Sequence, residues 1–190
     1  MTSPLAFKAR LAVLILVVVI VQTGFGNGLR LGGVAPDLVL LVAVGAGIVE
    51  GAQSAAWVGF WSGLLLDCLS PATPLGLHAF TFCAVGFGVG SLFDSVIEQR
   101  KLTVALAGAV ATGAAVLVYV GAGDLLGQAH LLSAGRSWLL RVVFVEAAWS
   151  LVLSVPAVGA YRWVATSGGW RGVVSGGGGR ALPPSRPGVQ

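Results

Sequence analysis

The residues able to do chemistry in this chain are few and scattered. Glu50, Asp67, Asp94, Arg141 and Glu146 are charged side chains that fall within or at the edges of apolar runs, with His78 and His130 as the two histidines. A charge inside a membrane segment is costly, so each needs a partner or a purpose. Asp67 stands out because it ends the run Gly63-Leu64-Leu65-Leu66 and precedes Ser70-Pro71. There a carboxylate can accept hydrogen bonds from exposed backbone N–H groups of the loop and of the next helix start. An anchor for the turn is the plainer reading, and ligand binding the sharper one. Arg141 and Glu146 lie five apart, about 140° around a helix, so they do not pair along one face. Arg141 is expected instead to reach Asp67 or Asp37, which the topology places near the same membrane surface.

Two histidines are too few for a metal site without a carboxylate at fixed spacing. His78 follows the turn Pro74-Leu75-Gly76 and reads as a satisfied or interfacial histidine. Ser62 beside Gly63, with a histidine downstream, is the minimum an intramembrane serine nucleophile would need, since a histidine on another helix would have to activate it. Cys68 and Cys83 have no Cys or His partners at metal-ligand spacing and read as buried small apolar residues. There is no phosphate loop, no aspartate pair spaced for a Mg-dependent lipid phosphotransferase and no arginine-rich voltage-sensor helix. Neither a cofactor nor a catalytic residue is expected, and a binding or scaffolding role is favoured over an enzyme.

The elements that carry these residues follow from composition. With 190 residues, 56% of them hydrophobic and 9% charged, the chain cannot cover a water-facing surface, because soluble domains carry about 25% charged residues. Lipid must take that place, in keeping with a mean hydropathy of +0.93. The net charge of +4 comes from Lys and Arg spread along the chain, which argues against nucleic acid as a partner. Hydropathy predicts an all-α integral membrane fold of about six transmembrane helices, at roughly 5–23, 36–50, 53–68, 76–96, 102–122 and 138–165. Lys8 and Arg10 ahead of the first run also fit a signal peptide, but a retained helix is expected. Residues 1–166 are expected to form the membrane domain, and the Gly-, Pro- and Arg-rich stretch 167–190 reads as a flexible cytoplasmic tail, attracted to anionic lipid on the plainer reading and binding a cytoplasmic partner on the sharper one.

With the N-terminus cytoplasmic, eight Lys and Arg residues fall inside (Lys8, Arg10, Arg100, Lys101, Arg162, Arg171, Arg180, Arg186) and three outside (Arg30, Arg136, Arg141). Both termini are therefore expected in the cytoplasm. The second and third segments are short: from Asp37 to Glu50 is only about 20 Å of helix. Either the flanking carboxylates sit in a polar pocket of the bundle, or the pair forms a re-entrant hairpin around Gly51-Ala52-Gln53-Ser54. Gly47 and Gly51, Gly59 and Gly63, and Gly86 and Gly90 recur four apart, which predicts close helix packing.

The order Pro36-Asp37-Leu38-Val39-Leu40-Leu41, then Val58-Gly59-Phe60-Trp61-Ser62-Gly63-Leu64-Leu65-Leu66-Asp67, then Ser70-Pro71 and Leu75-Gly76-Leu77-His78-Ala79 resembles the MreD family of rod-shape-determining proteins. The resemblance covers about 45 residues of the first half. It implies a bacterial plasma-membrane component of the wall-elongation complex, whose other members are the bitopic MreC, the actin-like MreB, a RodA-like glycan polymerase and a penicillin-binding transpeptidase. Chemistry would belong to those partners. The family is also similar in fold to the substrate-binding subunit of energy-coupling-factor vitamin transporters. That likeness implies an outer pocket bordered by Asp37, Asp67, His78, Asp124 and His130, and leaves a transporter subunit as the alternative function. Asp67 and the turn after it (Pro71, Gly76, His78), with Pro36 and Asp37, are the expected interaction or structural residues, joined by Arg141 and Glu146.

Overall fold

A computed structural model describes residues 4–25, 33–70, 74–93, 101–125, 127 and 136–166. They form six helices: α1 (Pro4–Phe25), α2 (Leu38–Glu50), α3 (Ala52–Leu69), α4 (Leu77–Phe93), α5 (Lys101–Leu125) and α6 (Arg136–Thr166). The all-helical expectation holds, with a qualification on length. Among the described residues three stretches, Ala6–Gly24, Lys101–Leu125 and Ser137–Thr166, are long and apolar enough to cross a bilayer alone. The 13 residues of α2 rise only about 20 Å, short of the roughly 30 Å hydrocarbon core.

The short α2 survives because it is the centre of the bundle. Every residue from Val39 to Ile48 is buried, and α2 packs against all five other helices. It therefore needs neither lipid on its flanks nor water at both ends. Its joint to α3 is Gly51, whose φ of +91° lies in the left-handed region that a Cβ disfavours. Asp37 is the N-cap of α2, so the helix starts at Leu38, two residues later than hydropathy alone expects.

The bundle is packed inside out relative to a soluble protein. Leu102, Leu106, Val110 and Leu117 lie on the outside of α5, whereas Gly108, Ala111, Thr112 and Ala115 face inward. Large apolar groups meet lipid, and small ones let backbones approach. The closest approach is between the antiparallel helices α3 and α4. A Cβ on Gly59 would run into the carbonyl of Phe82, one on Gly63 would meet the carbonyl of His78 at 2.6 Å, one on Gly86 the carbonyl of Ala55 at 2.9 Å, and one on Gly90 the backbone of Ala52. Two of the glycine pairs thus lie in a single interface, Gly59 and Gly63 against Phe82 and His78, and Gly86 and Gly90 against Ala55 and Ala52. Gly47 completes it from α2, with Gly90 at 3.1 Å from where its Cβ would stand.

In α6 the helix continues through Pro156, although proline offers no N–H to the preceding turn. The fully buried Tyr161 lies against Gly45 of α2, with 3.2 Å left for a Cβ there. Thr112 and Ser150, both buried, share a hydrogen bond between α5 and α6. Cys68 and Cys83 are free thiols; Cys68 is exposed and Cys83 half-buried, so Cys68 corrects the expectation of burial. It follows Asp67 directly and so turns away from the interface that Asp67 enters. The proposed tail, 167–190, lies outside the described residues.

Candidate functional site

Asp67 lies in the last turn of α3, and its side chain is wholly withdrawn from the surface. Gly63, one helical turn earlier on the same face, allows the first turn of α4 to come within reach. The carboxylate then closes the open end of α4. Oδ2 accepts from Gly76 N–H at 2.9 Å and Ala79 N–H at 3.2 Å, while Oδ1 accepts from His78 N–H at 3.3 Å. Gly76, at φ +96°, has no side chain with which to cap its own helix. Asp67 supplies the missing acceptors from a neighbouring helix, and its negative charge suits the positive end of the α4 dipole.

His78 completes the arrangement, with Nδ1 2.6 Å from Asp67 Oδ1. The contact is an ion pair when the ring is protonated and a hydrogen bond in either case. Arg141 is exposed and does not take part, which corrects the expected Arg141–Asp67 or Arg141–Asp37 pair. The reason is reach: Asp67 is already enclosed by the α4 turn, and a histidine one residue into that helix is nearer than any side chain of α6. Ser62 is buried and donates to the Gly59 carbonyl at 3.2 Å. No hydrogen bond joins it to His78, so the two do not form a nucleophile and base.

A second cap stands at the start of α2. Asp37 Oδ1 accepts from Leu40 N–H at 3.1 Å and from Gln22 Nε2 at 3.2 Å, and Gln22 Oε1 accepts from Val39 N–H at 3.0 Å. Gln22 of α1 thus satisfies a free donor of α2 and holds the capping carboxylate at the same time. Pro36, buried, leads the chain into this cap. The sequence reading missed Gln22; a polar residue near the end of an otherwise apolar helix was the available signal.

Between these caps lies a cavity of about 350 Å³, lined by Gly33 to Ala35, Asp37, His78, Thr81, Phe82, Ala115, Val116, Tyr119, Val120, Trp138, Val142 and Glu146. The ring of His78 stands 4.9 Å from that of Tyr119 and 5.7 Å from that of Phe82. Asp37, His78 and Glu146, all singled out from the sequence, are thus brought together. Asp67 lies behind His78 and Asp124 outside the wall, while Pro71 and His130 fall outside the described residues. Tyr119 and Trp138 were not foreseen. Among the described residues no three His, Cys, Asp or Glu side chains converge on a metal-sized point.

The fold and its polar groups define a polytopic helical membrane protein whose carboxylates hold helix ends in place. Comparison with known families makes this more specific. The model of the rod shape-determining protein MreD matches residues 5–163, so the chain belongs to the MreD family and is a rod-shape-determining membrane protein of bacterial wall elongation. Comparison with curated proteins and with solved structures returned no match. The likeness to a vitamin-transporter subunit gains no support from these comparisons.

Proposed function

We propose that the protein is a non-catalytic scaffold and regulator of the wall-elongation complex. It binds MreC within the bilayer and through it supports the RodA-like polymerase and the penicillin-binding transpeptidase, alongside MreB. The observation that carries this reading is the family match over residues 5–163. The polar interior is consistent with it. Asp67, Asp37, Gln22, Ser62 and Thr112 spend their hydrogen bonds on helix ends and backbone carbonyls, so these groups serve shape rather than turnover.

The proposed setting is the plasma membrane with both termini in the cytoplasm, from the distribution of Lys and Arg. Asp67, Gly76 and His78 then shape the outer end of α3 and α4, where a partner's helix or its outer segment would meet the bundle. The test is a mild-detergent pull-down of the tagged full chain with mass spectrometry of what accompanies it. Recovery of MreC and the wall synthases is the expected result. Recovery of a pair of ATPases and a coupling membrane subunit in their place would overturn the scaffold reading.

A further inference from the structure

The cavity between the start of α2 and helices α4, α5 and α6 has features that the scaffold role does not use. Asp37 and Glu146 line it, and no Lys or Arg does so among the described residues. His78 is the wall's basic side chain, but its Nδ1 is held by Asp67, so any positive charge on the ring is already matched there. The surplus of acid in the chamber therefore rests on Asp37 and Glu146. Glu146 is half-buried on the cavity wall and makes no hydrogen bond or ion pair to another described residue, so its carboxylate can accept a ligand's donors.

The remaining walls say what kind of cation would relieve this. Tyr119 and Trp138 bring aromatic rings to the cavity, and Trp138 is 44% exposed at its edge. Aromatic faces beside carboxylates are the surroundings that an organic ammonium group prefers, by cation–π attraction and charge together. A bare metal ion would need at least three converging ligands, and none of the described clusters offers them. The volume, about 350 Å³, is at the lower end for small-molecule sites and holds roughly a dozen water-sized groups. The cavity lies at the bundle end where α2 and α4 begin and α5 ends.

We propose that this chamber binds the ammonium group of a small amine or of an aminophospholipid headgroup, with Glu146 and Asp37 as charge partners and Tyr119 and Trp138 as the aromatic walls. The proposal is independent of the partner contacts proposed above. Native mass spectrometry of the full chain in an uncharged detergent compares short-chain phosphatidylethanolamine with phosphatidylglycerol of the same acyl chains. The expected result is at least about tenfold preferential retention of the ethanolamine lipid, the scale of one charge-assisted contact. E146Q should abolish that preference, and W138A, at the cavity edge, should weaken it.

Free ethanolamine as competitor separates the sources. Displacement of the lipid assigns recognition to the ammonium group alone, and retention against it assigns the site to the lipid headgroup with its chains. Equal retention of the two lipids by the wild-type chain would overturn the proposal, as would an unchanged preference in both variants. If E146Q fails to fold, the wild-type comparison and W138A decide.

Discussion

Replacing Asp67 by Asn keeps the shape of the side chain and removes its charge. The carboxylate accepts from three backbone N–H groups and stands against His78 Nδ1. The amide has one acceptor oxygen and one donor nitrogen. With its oxygen turned to Gly76 and Ala79, its NH₂ faces the His78 N–H and leaves that donor without a partner. An orphaned donor costs about 1–3 kcal/mol, and each surviving bond falls from about 1.5–3 to about 0.5–1.5 kcal/mol when the charge is lost. Two such bonds and one orphan give a loss of about 3–6 kcal/mol. At about 2–4 °C per kcal/mol for a chain of this size, D67N should unfold roughly 10 °C below the wild type. Thermal unfolding in detergent, followed by intrinsic fluorescence, measures this. H78A should add little further loss in the D67N background, because the two side chains act as one unit. A D67N melting point within about 2 °C of wild type, together with normal cell shape on complementation, would refute the cap.

Four further predictions test the packing and its polar contacts. G63A should destabilise the protein by at least about 3 kcal/mol, because its Cβ would fall 2.6 Å from the backbone of His78. G88A, with nothing within 4 Å of the added atom, should be neutral or slightly stabilising in the same melting assay. Q22A should cost about 1–3 kcal/mol by freeing the Val39 N–H and loosening Asp37, and it should raise amide exchange at the start of α2 before elsewhere. R141A should leave the melting point unchanged within about 0.5 kcal/mol, since Arg141 is exposed and His78 holds Asp67; a large loss would restore Arg141 as a structural partner.

These effects share a physical basis. In lipid there is little hydrophobic drive between helices, so orientation rests on close backbone contact and on satisfied polar groups. The interface of α3 and α4 uses both: glycines bring the backbones together, and Asp67 fixes where α4 begins. The same device recurs at α2, where Gln22 and Asp37 act from different helices on one helix start. A family defined by shape control rather than turnover fits a structure whose internal polar residues set geometry.

The solvent, the helical class and the capping role of Asp67 were open to reading from the residues alone. These depend on short-range features: uninterrupted apolar length, the low charge content and a carboxylate placed before a turn. Close packing was also legible from glycines four apart, although only the fold shows that Gly59, Gly63, Gly86 and Gly90 all serve one seam, each against the backbone of the opposite helix. The tertiary structure alone decided that His78 rather than Arg141 pairs with Asp67, that Gln22 caps α2, and that Asp37, Tyr119, Trp138 and Glu146 border one chamber. It also turned the short α2 from an unexplained span into the buried centre of the bundle. The reason is physical. A residue's type and near neighbours fix what it can bond, but which distant group comes within about 3 Å is set by how helices cross, and that has no local signature in the chain.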